Sequence, residues 1–293
     1  MNLRDVIDSN EGFATTRKLL AAGATERSLT SSVRSGAIRR VRNGWYSTAD
    51  PSDPRFRAVR VGGRLTGLSA FEAWGAWVWD RPTLVHIAVP GNAARLRPLP
   101  GTRVTFGSDP RRGTQTAVSI VEAAVHVVLN EPLENAVPCL DWALSKGRLD
   151  RIDFERVILI LPATARAAAL WVDARSQSVL ESVARVRLRT EGYSLVSQAS
   201  TGLLGANDLL IEDTVALELD GREFHESTFE RDRLRDLIST TEGRHVIRVS
   251  RRMLRHQWPL ILEAIRSCLS ARRVGNSGDL VPHPVGKQRS HPR

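Results

Sequence analysis

Lysine is almost missing from this sequence. Lys18, Lys146 and Lys287 are the only three in 293 residues, so arginine carries nearly all of the positive side of a net charge of +10. Guanidinium groups suit bidentate contact with phosphate and guanine better than ammonium groups do. An excess of this size points to a polyanionic partner, nucleic acid first. Cysteine is scarce as well. Cys139 and Cys268 lie far apart and neither belongs to a CxxC pair, which argues against a disulfide framework or a zinc knuckle and fits a reducing cytoplasm. No run of 18 apolar residues occurs, so no membrane-spanning helix and no membrane partner are expected. The opening MNLRDVIDSNEGF is polar and acidic and lacks the apolar stretch of a secretory leader. No internal repeat is present.

What is there is enough for more than one domain. With 42% hydrophobic residues, the chain can bury real cores, and its length allows two compact domains with linkers. The pattern divides it into residues 1–60, 61–172, 173–271 and 272–293. The expected class is a multi-domain α+β and α/β protein. It would comprise an N-terminal winged helix-turn-helix, a mixed middle segment and a C-terminal α/β sheet domain. The last stretch, RRVGNSGDLVPHPVGKQRSHPR, is rich in Gly, Pro and Arg and reads as a disordered basic tail.

In the first segment, GFATTRKLLAAG reads as a helix with Phe13, Leu19 and Leu20 near one face and Gly23 as its stop. A second helix follows, capped by Thr25, with Leu29, Val33 and Ala37 at spacing four. Asn43-Gly44 is a strong hairpin signal between Val41 and Trp45-Tyr46. Helix, turn, helix and basic hairpin together read as a winged helix-turn-helix. Residues 27–42 hold five arginines and no acid. Arg27, Ser31, Arg34, Arg39, Arg40 and Arg42 are therefore the expected nucleic-acid contacts, with the second helix placed to meet base edges.

In the middle segment, a helix over Leu68–Trp77, a strand over Leu84–Val89, and helices over Ser119–Leu129 and Leu140–Leu144 are expected. Trp74, Trp77 and Trp79 read as core or interface residues, and His86 and His126 as buried, satisfied histidines.

The third segment carries the chemistry. Its pattern is α-β-β-β-α-β-α: a helix over Gln177–Arg189, then strands over Tyr193–Gln198, Asn207–Ile211 and Val215–Asp220. A helix over Arg231–Thr240, a strand over His245–Val249 and a final helix near Pro259–Cys268 complete it. Asp208 and Glu218 each sit in an otherwise apolar strand. A buried carboxylate is costly unless it is paired or holds a metal. Strand period places Glu218 and Asp220 on one face. Carboxylates so grouped suit Mg²⁺ or Mn²⁺ completed by water and phosphate, the arrangement of a metal-dependent phosphodiesterase. Ser178 and Glu181 have capping-box spacing, so a structural role for Glu181 stays open.

Two family resemblances follow from these residues. The TxxxLLAAG helix from Thr15 to Gly23, RSGAIRRVRNGWY, LSAFEAWG and LVHIAV together resemble the winged-helix domain of the type IV abortive-infection antitoxin family over residues 8–90. That resemblance implies promoter-DNA binding and leaves a toxin partner and a homodimer open. Ser178 and Glu181, Gln198, Asp208, the ELDGREFH block from Glu218 to His225, Asp232 and Arg235 in ERDRLRD, and Arg248 in HVIRVS form a second pattern. It resembles the PD-(D/E)XK nuclease superfamily near the very-short-patch-repair endonucleases.

The second resemblance implies a restriction-endonuclease-like domain in which Asp208 and Glu218 hold the metal, Glu181 orients its water, and Asp220 and His225 complete the catalytic set. Gln198, Asp232, Arg235 and Arg248 would support it. The superfamily lysine is absent and Asp220 stands in its place. His225 is then the candidate general acid or base, and Arg235 either stabilises phosphate charge or pairs with Asp232. The expected function is a DNA endonuclease, in a defence or mobile-element setting. The alternatives are a regulator or antitoxin with a degenerate nuclease domain, and a mismatch-repair endonuclease.

Overall fold

A computed structural model describes residues 2–200, 205–220, 234, 238 and 240–277, with side chains to residue 271. The chain opens with α1 (Leu3–Asp8), capped by the Asn2 side chain, which accepts from the Arg4 N–H. The stretch read as one helix from Gly12 is in fact a strand and a shorter helix, β1 (Phe13–Thr15) and α2 (Thr16–Ala21). The switch comes at Thr15. Its backbone is extended and its hydroxyl accepts from the Lys18 N–H at 3.3 Å, so it caps α2 instead of continuing a helix. Phe13 is fully buried among Val41, Phe56 and Val59, whereas Leu20 is 40% exposed.

Gly23, in the left-handed region at φ 93°, ends α2. The next helix, α3 (Glu26–Arg34), begins with a reciprocal capping box between Thr25 and Ser28. Leu29 is buried and Val33 packs against the same cluster. Ala37 does not continue the stripe. The helix closes at Ser35, and Ile38, 1% exposed, takes the core position. Strands β2 (Arg39–Arg42) and β3 (Trp45–Ser47) form the hairpin around Asn43-Gly44, with a register shift between Arg40 and Arg42. A three-stranded sheet of order β1-β3-β2 results.

Next come α4 (Pro54–Val61), β4 (Arg64–Leu65) and α5 (Gly67–Ala73), then β5 (Val85–Val89) and β6 (Thr102–Phe106). Strand β5 is antiparallel to β4 and parallel to β6. Helix α5 ends four residues before the expected Trp77 because Gly75, at φ 77°, breaks it. Trp79 is buried, and Trp74 and Trp77 pack against the core of this region, as their apolar reading required.

Helices α6 (Ile120–Asn130) and α7 (Leu133–Ser145) pack with α5 and with each other. α7 is much longer than the expected Leu140–Leu144, because Pro138 sits inside it and masked its N-terminal half in the sequence. Helices α8 (Arg151–Ile160) and α9 (Ala163–Arg166) and a 3₁₀ turn over Ala167–Trp171 follow.

His86 and His126 are half-buried beside the start of α5, as expected. His126 Nδ1 lies 2.8 Å from Thr66 Oγ1, and His86 Nδ1 lies 3.7 Å from a Glu131 carboxylate oxygen. Burial, then the nearby Arg103 guanidinium, lowers the pKa of His126 below its ordinary 6.5. The unfolded chain then takes up the proton first as pH falls. The His126 contribution to stability is therefore complete above about pH 6.5 and lost as pH drops through the lower folded value. Thermal melts across that window should show an acid-side loss that shrinks in His126→Gln; an unchanged acid limb would contradict the assignment.

Helix α10 (Val179–Thr190) begins with Ser178 accepting from the Glu181 N–H at 3.2 Å. Deep in the first unit, Arg185 of α10 forms an ion pair with Asp141 of α7, at 3% and 0% exposure. The same guanidinium donates to the Trp171 carbonyl, and Asp141 accepts from the Asp173 N–H at 2.7 Å. Contacts divide the chain into two compact units, Met1–Val186 and Arg187–Arg293. The division falls within α10, whose part in the first unit is held to α7 by that ion pair.

In the second unit, β7 (Leu195–Ser200), β8 (Ala206–Ile211), β9 (Val215–Asp220) and β10 (His245–Ser250) form one sheet of order β10-β9-β8-β7. The first three run antiparallel in sequence, and β10 is parallel to β9. Two helices follow, α11 (Arg251–His256) and α12 (Trp258–Ser277). The last helix therefore runs six residues into the stretch expected to be a tail (277 − 271 = 6). Arg187 donates to the Leu254 carbonyl at 2.5 Å and lies over the Trp258 ring at 5.5 Å. No helix among the described residues is long and apolar enough to cross a membrane. The whole is a mixed α+β arrangement of helices and three small sheets.

Candidate functional site

The second-unit sheet places four of the expected residues in one row. The pairs Ser197↔Leu209 and Ala199↔Asn207 set Gln198 of β7 opposite Asp208 of β8. The β8–β9 ladder ends at Leu209↔Leu217, one residue short of Asp208 and Glu218. Glu218 is in turn paired with Arg248 of β10.

The row has two local peculiarities. Gln198 is left-handed at φ 51° inside a strand, a conformation that costs about 1–3 kcal/mol for a residue with a side chain. And an Asp208 carboxylate oxygen accepts from the Leu219 backbone N–H at 2.7 Å. A side chain thereby serves as the acceptor where the backbone ladder stops, which fixes the direction of the carboxylate.

Burial grades along β9. Val215 to Leu219 are buried, Glu218 at 5% exposure, while Asp220 is exposed. Asp208 is intermediate. The strand is buried because Val215, Ala216, Leu217 and Leu219 form a continuous apolar run with one acid inside it. Asp220 lies at the strand end, paired in register with Ser250.

Glu181 belongs to the first unit. It is 4% exposed and its carboxylate accepts from the Gln177 N–H at 2.9 Å. Together with the Ser178 cap this closes the first turn of α10, the structural role its spacing had left open. His225, Asp232 and Arg235 lie outside the described residues. Asp208 and Glu218 are of the residue type that holds Mg²⁺ or Mn²⁺, which draw on one or two acids and take the rest from water and phosphate. Among the described residues, no three His, Cys, Asp or Glu groups converge to form a cage built from protein alone.

In the first unit, the six expected nucleic-acid contacts separate into three groups. Arg27, Thr30, Ser31 and Arg34 line an open groove along α3. Their spacing puts them on one helical face, opposite buried Leu29. Arg39 and Arg40 are exposed on the hairpin, and Arg40 donates to the Asn43 side chain at 2.7 Å. Arg42 instead lines a separate cleft with Arg17, Lys18 and Trp45. The sequence reading missed that cleft, since Arg17, Lys18 and Arg42 come from elements distant along the chain. The one available signal was an aromatic residue, Trp45, three residues after an arginine.

No protein-family model and no curated protein matches the chain. Among solved structures, the crystal structure of the RV2827C protein from Mycobacterium tuberculosis aligns with 67% of this chain and 82% of that chain. It is 17% identical, with a TM-score of 0.33. At that score the likeness decides neither fold nor function.

Proposed function

We propose that this protein binds DNA through a winged helix-turn-helix in its first unit and hydrolyses phosphodiester bonds at a metal-dependent, PD-(D/E)XK-like site in its second. The observation that carries the nuclease reading is that Gln198, Asp208, Glu218 and Arg248 come from four adjacent strands of one sheet, with Glu218 and Arg248 in register. Asp208 and Glu218 would hold Mg²⁺ or Mn²⁺, which supplies a nucleophilic water and neutralises phosphate charge. The Leu219 N–H orients Asp208, and Arg248 brings a positive charge next to Glu218. Asp220, exposed at the end of β9, and His225 are the remaining candidates for proton transfer.

The DNA-binding reading rests on the order of α1, β1, α2, α3 and the β2–β3 hairpin, together with the exposed Arg27, Ser31 and Arg34 face. Arg27→Ala with Arg34→Ala should weaken duplex binding for all sequences. It should also make the log–log salt dependence shallower by about two, at roughly 0.9 for each phosphate no longer neutralised. An unchanged salt slope would remove α3 from the interface.

One observation favours a second reading, a DNA-binding regulator or antitoxin whose nuclease-like domain does no chemistry. Arg248 is in register with Glu218, so the buried acid has a cationic neighbour without any metal, and Asp220 replaces the usual lysine. Incubating the full chain with supercoiled plasmid and Mg²⁺ or Mn²⁺ separates the two. Metal-dependent nicking that disappears on removing both carboxylates assigns the enzyme; salt-sensitive binding without nicking assigns the regulator. Nicking confined to mismatched duplex would point to a repair enzyme.

A further inference from the structure

The first unit holds an open cleft of about 1030 Å³ that the α3 reading does not use. Arg17 and Lys18 enter it from α2, Arg42 and Trp45 from the hairpin, and Arg64 from β4. Among the described residues, Glu11 is the only acid lining it. This volume is at the top of the roughly 300–1,000 Å³ usual for ligand sites, so it admits an extended ligand.

The cations differ in how they are held. The Arg64 guanidinium is anchored by Ser108 Oγ at 2.7 Å and the Asp109 carbonyl at 2.8 Å, and contributes a fixed charge. Among the described residues, no hydrogen bond or ion pair engages the side chains of Arg17, Lys18 or Arg42. Arg42 is nevertheless placed. A Cβ on Gly62 would lie 2.2 Å from one of its guanidinium nitrogens, so the bare backbone of Gly62, at φ 115°, makes the room in which that group rests. Trp45 is half-buried. It packs against the Phe13 and Val41 cluster and also lines the cleft.

Unengaged cations along a groove with an aromatic surface among them are the two elements of sequence-tolerant single-strand recognition. The cations follow the phosphates and the ring stacks a base. We infer that this cleft binds a short stretch of single-stranded nucleic acid, with a base on Trp45 and phosphates on Arg17, Lys18 and Arg42. This goes beyond the duplex contact proposed for α3 and does not depend on it. An unwound or nicked segment is the ligand whose backbone and exposed bases match both features.

The test is fluorescence anisotropy on the full chain with labelled oligo-dT and oligo-U of about ten nucleotides, within the usual span of single-strand sites, beside a labelled duplex. Arg17→Gln, Lys18→Gln and Arg42→Gln together should weaken oligonucleotide binding about tenfold or more and leave duplex affinity within about twofold. They should make the salt slope shallower by about two, from roughly 0.7 per single-strand phosphate contact. The Arg27→Ala, Arg34→Ala variant should do the reverse. Trp45→Phe keeps a ring and should keep binding, whereas Trp45→Leu should lose it; melting temperatures check that each variant is folded.

Three results would each overturn the inference. One is no oligonucleotide binding by the wild type. Another is equal loss of oligonucleotide and duplex affinity in the triple variant. The third is competition by polyglutamate as strong as by oligo-dT, which would make the cleft a general acidic-polymer site. Oligonucleotide binding without duplex binding would leave the inference standing and remove the α3 reading.

Discussion

Replacing Asp208 by Asn and Glu218 by Gln in one variant is expected to abolish metal-dependent nicking of supercoiled plasmid. The rate should fall by at least about three orders of magnitude, since loss of a single electrostatic stabiliser already costs roughly 10²–10³. Duplex binding by α3 should remain within about twofold. Amides are chosen over alanines for a structural reason. Asp208→Asn keeps an oxygen for the Leu219 N–H that Asp208 now accepts at 2.7 Å, and Glu218→Gln fills the same buried space. The charge needed to hold a divalent cation goes while the strand ends stay packed, so a loss of nicking cannot be put down to a broken sheet. Rescue by Mn²⁺ would mark a weakened metal site. Nicking that survives the double variant would exclude these two residues as metal ligands.

The largest stability effect should come from a residue far from any proposed chemistry. Arg185→Met leaves the Asp141 carboxylate fully buried beside an apolar side chain. Stranding one partner of a buried ion pair costs about 3–5 kcal/mol. The charge could be neutralised by protonation, but Asp141 must still accept from the Asp173 N–H at 2.7 Å. Asp141→Asn added to Arg185→Met should therefore recover much of the loss, because the amide keeps that acceptor without the charge. Urea titration followed by tryptophan fluorescence suits the measurement. Six of the seven tryptophans, all but Trp258, lie at or before residue 186, so the signal reports the first unit. A shift of under about 1 kcal/mol in Arg185→Met would mean that the pair contributes like an exposed one.

What could be read in the sequence was what local chemistry decides. Asn43-Gly44 fixed the hairpin, Thr25 fixed the start of α3, and β9 runs over the expected Val215–Asp220 because an apolar run is bounded there by a polar turn and a glycine. The two acids of the row were visible for the same reason: a carboxylate inside an apolar strand needs a physical cause. Arg248 was legible only by its place in a motif.

Features decided by tertiary partners were not legible. Three-residue β1 is too short to show a period, and only its pairing with β3 and the burial of Phe13 make it a strand. Pro138 reads as a helix breaker, yet α7 carries it inside a packed helix. Asp141 and Arg185 lie 44 residues apart, with nothing in either local pattern to couple them. Glu181 was the reverse case, since both its roles were legible, and its hydrogen bond from the Gln177 N–H belongs to the structural one.

The parallel pairing of β10 has a consequence for the order in which the row is assembled. Asp208 and Glu218 are brought together by a tight turn, with Ile211 paired to Val215. Arg248 arrives only when His245 docks on Val215, thirty residues earlier (245 − 215 = 30). On loop-closure entropy alone, that second step costs about 2 kcal/mol more than the first. A folding chain therefore passes through states in which the two acids already face each other and the arginine has not come. Like charges at that spacing repel, so the β7–β8–β9 meander would be held back at neutral pH and low ionic strength and helped by a divalent cation or by β10. Docking of β10 thus couples closure of the sheet to the arrival of a positive residue in register with Glu218.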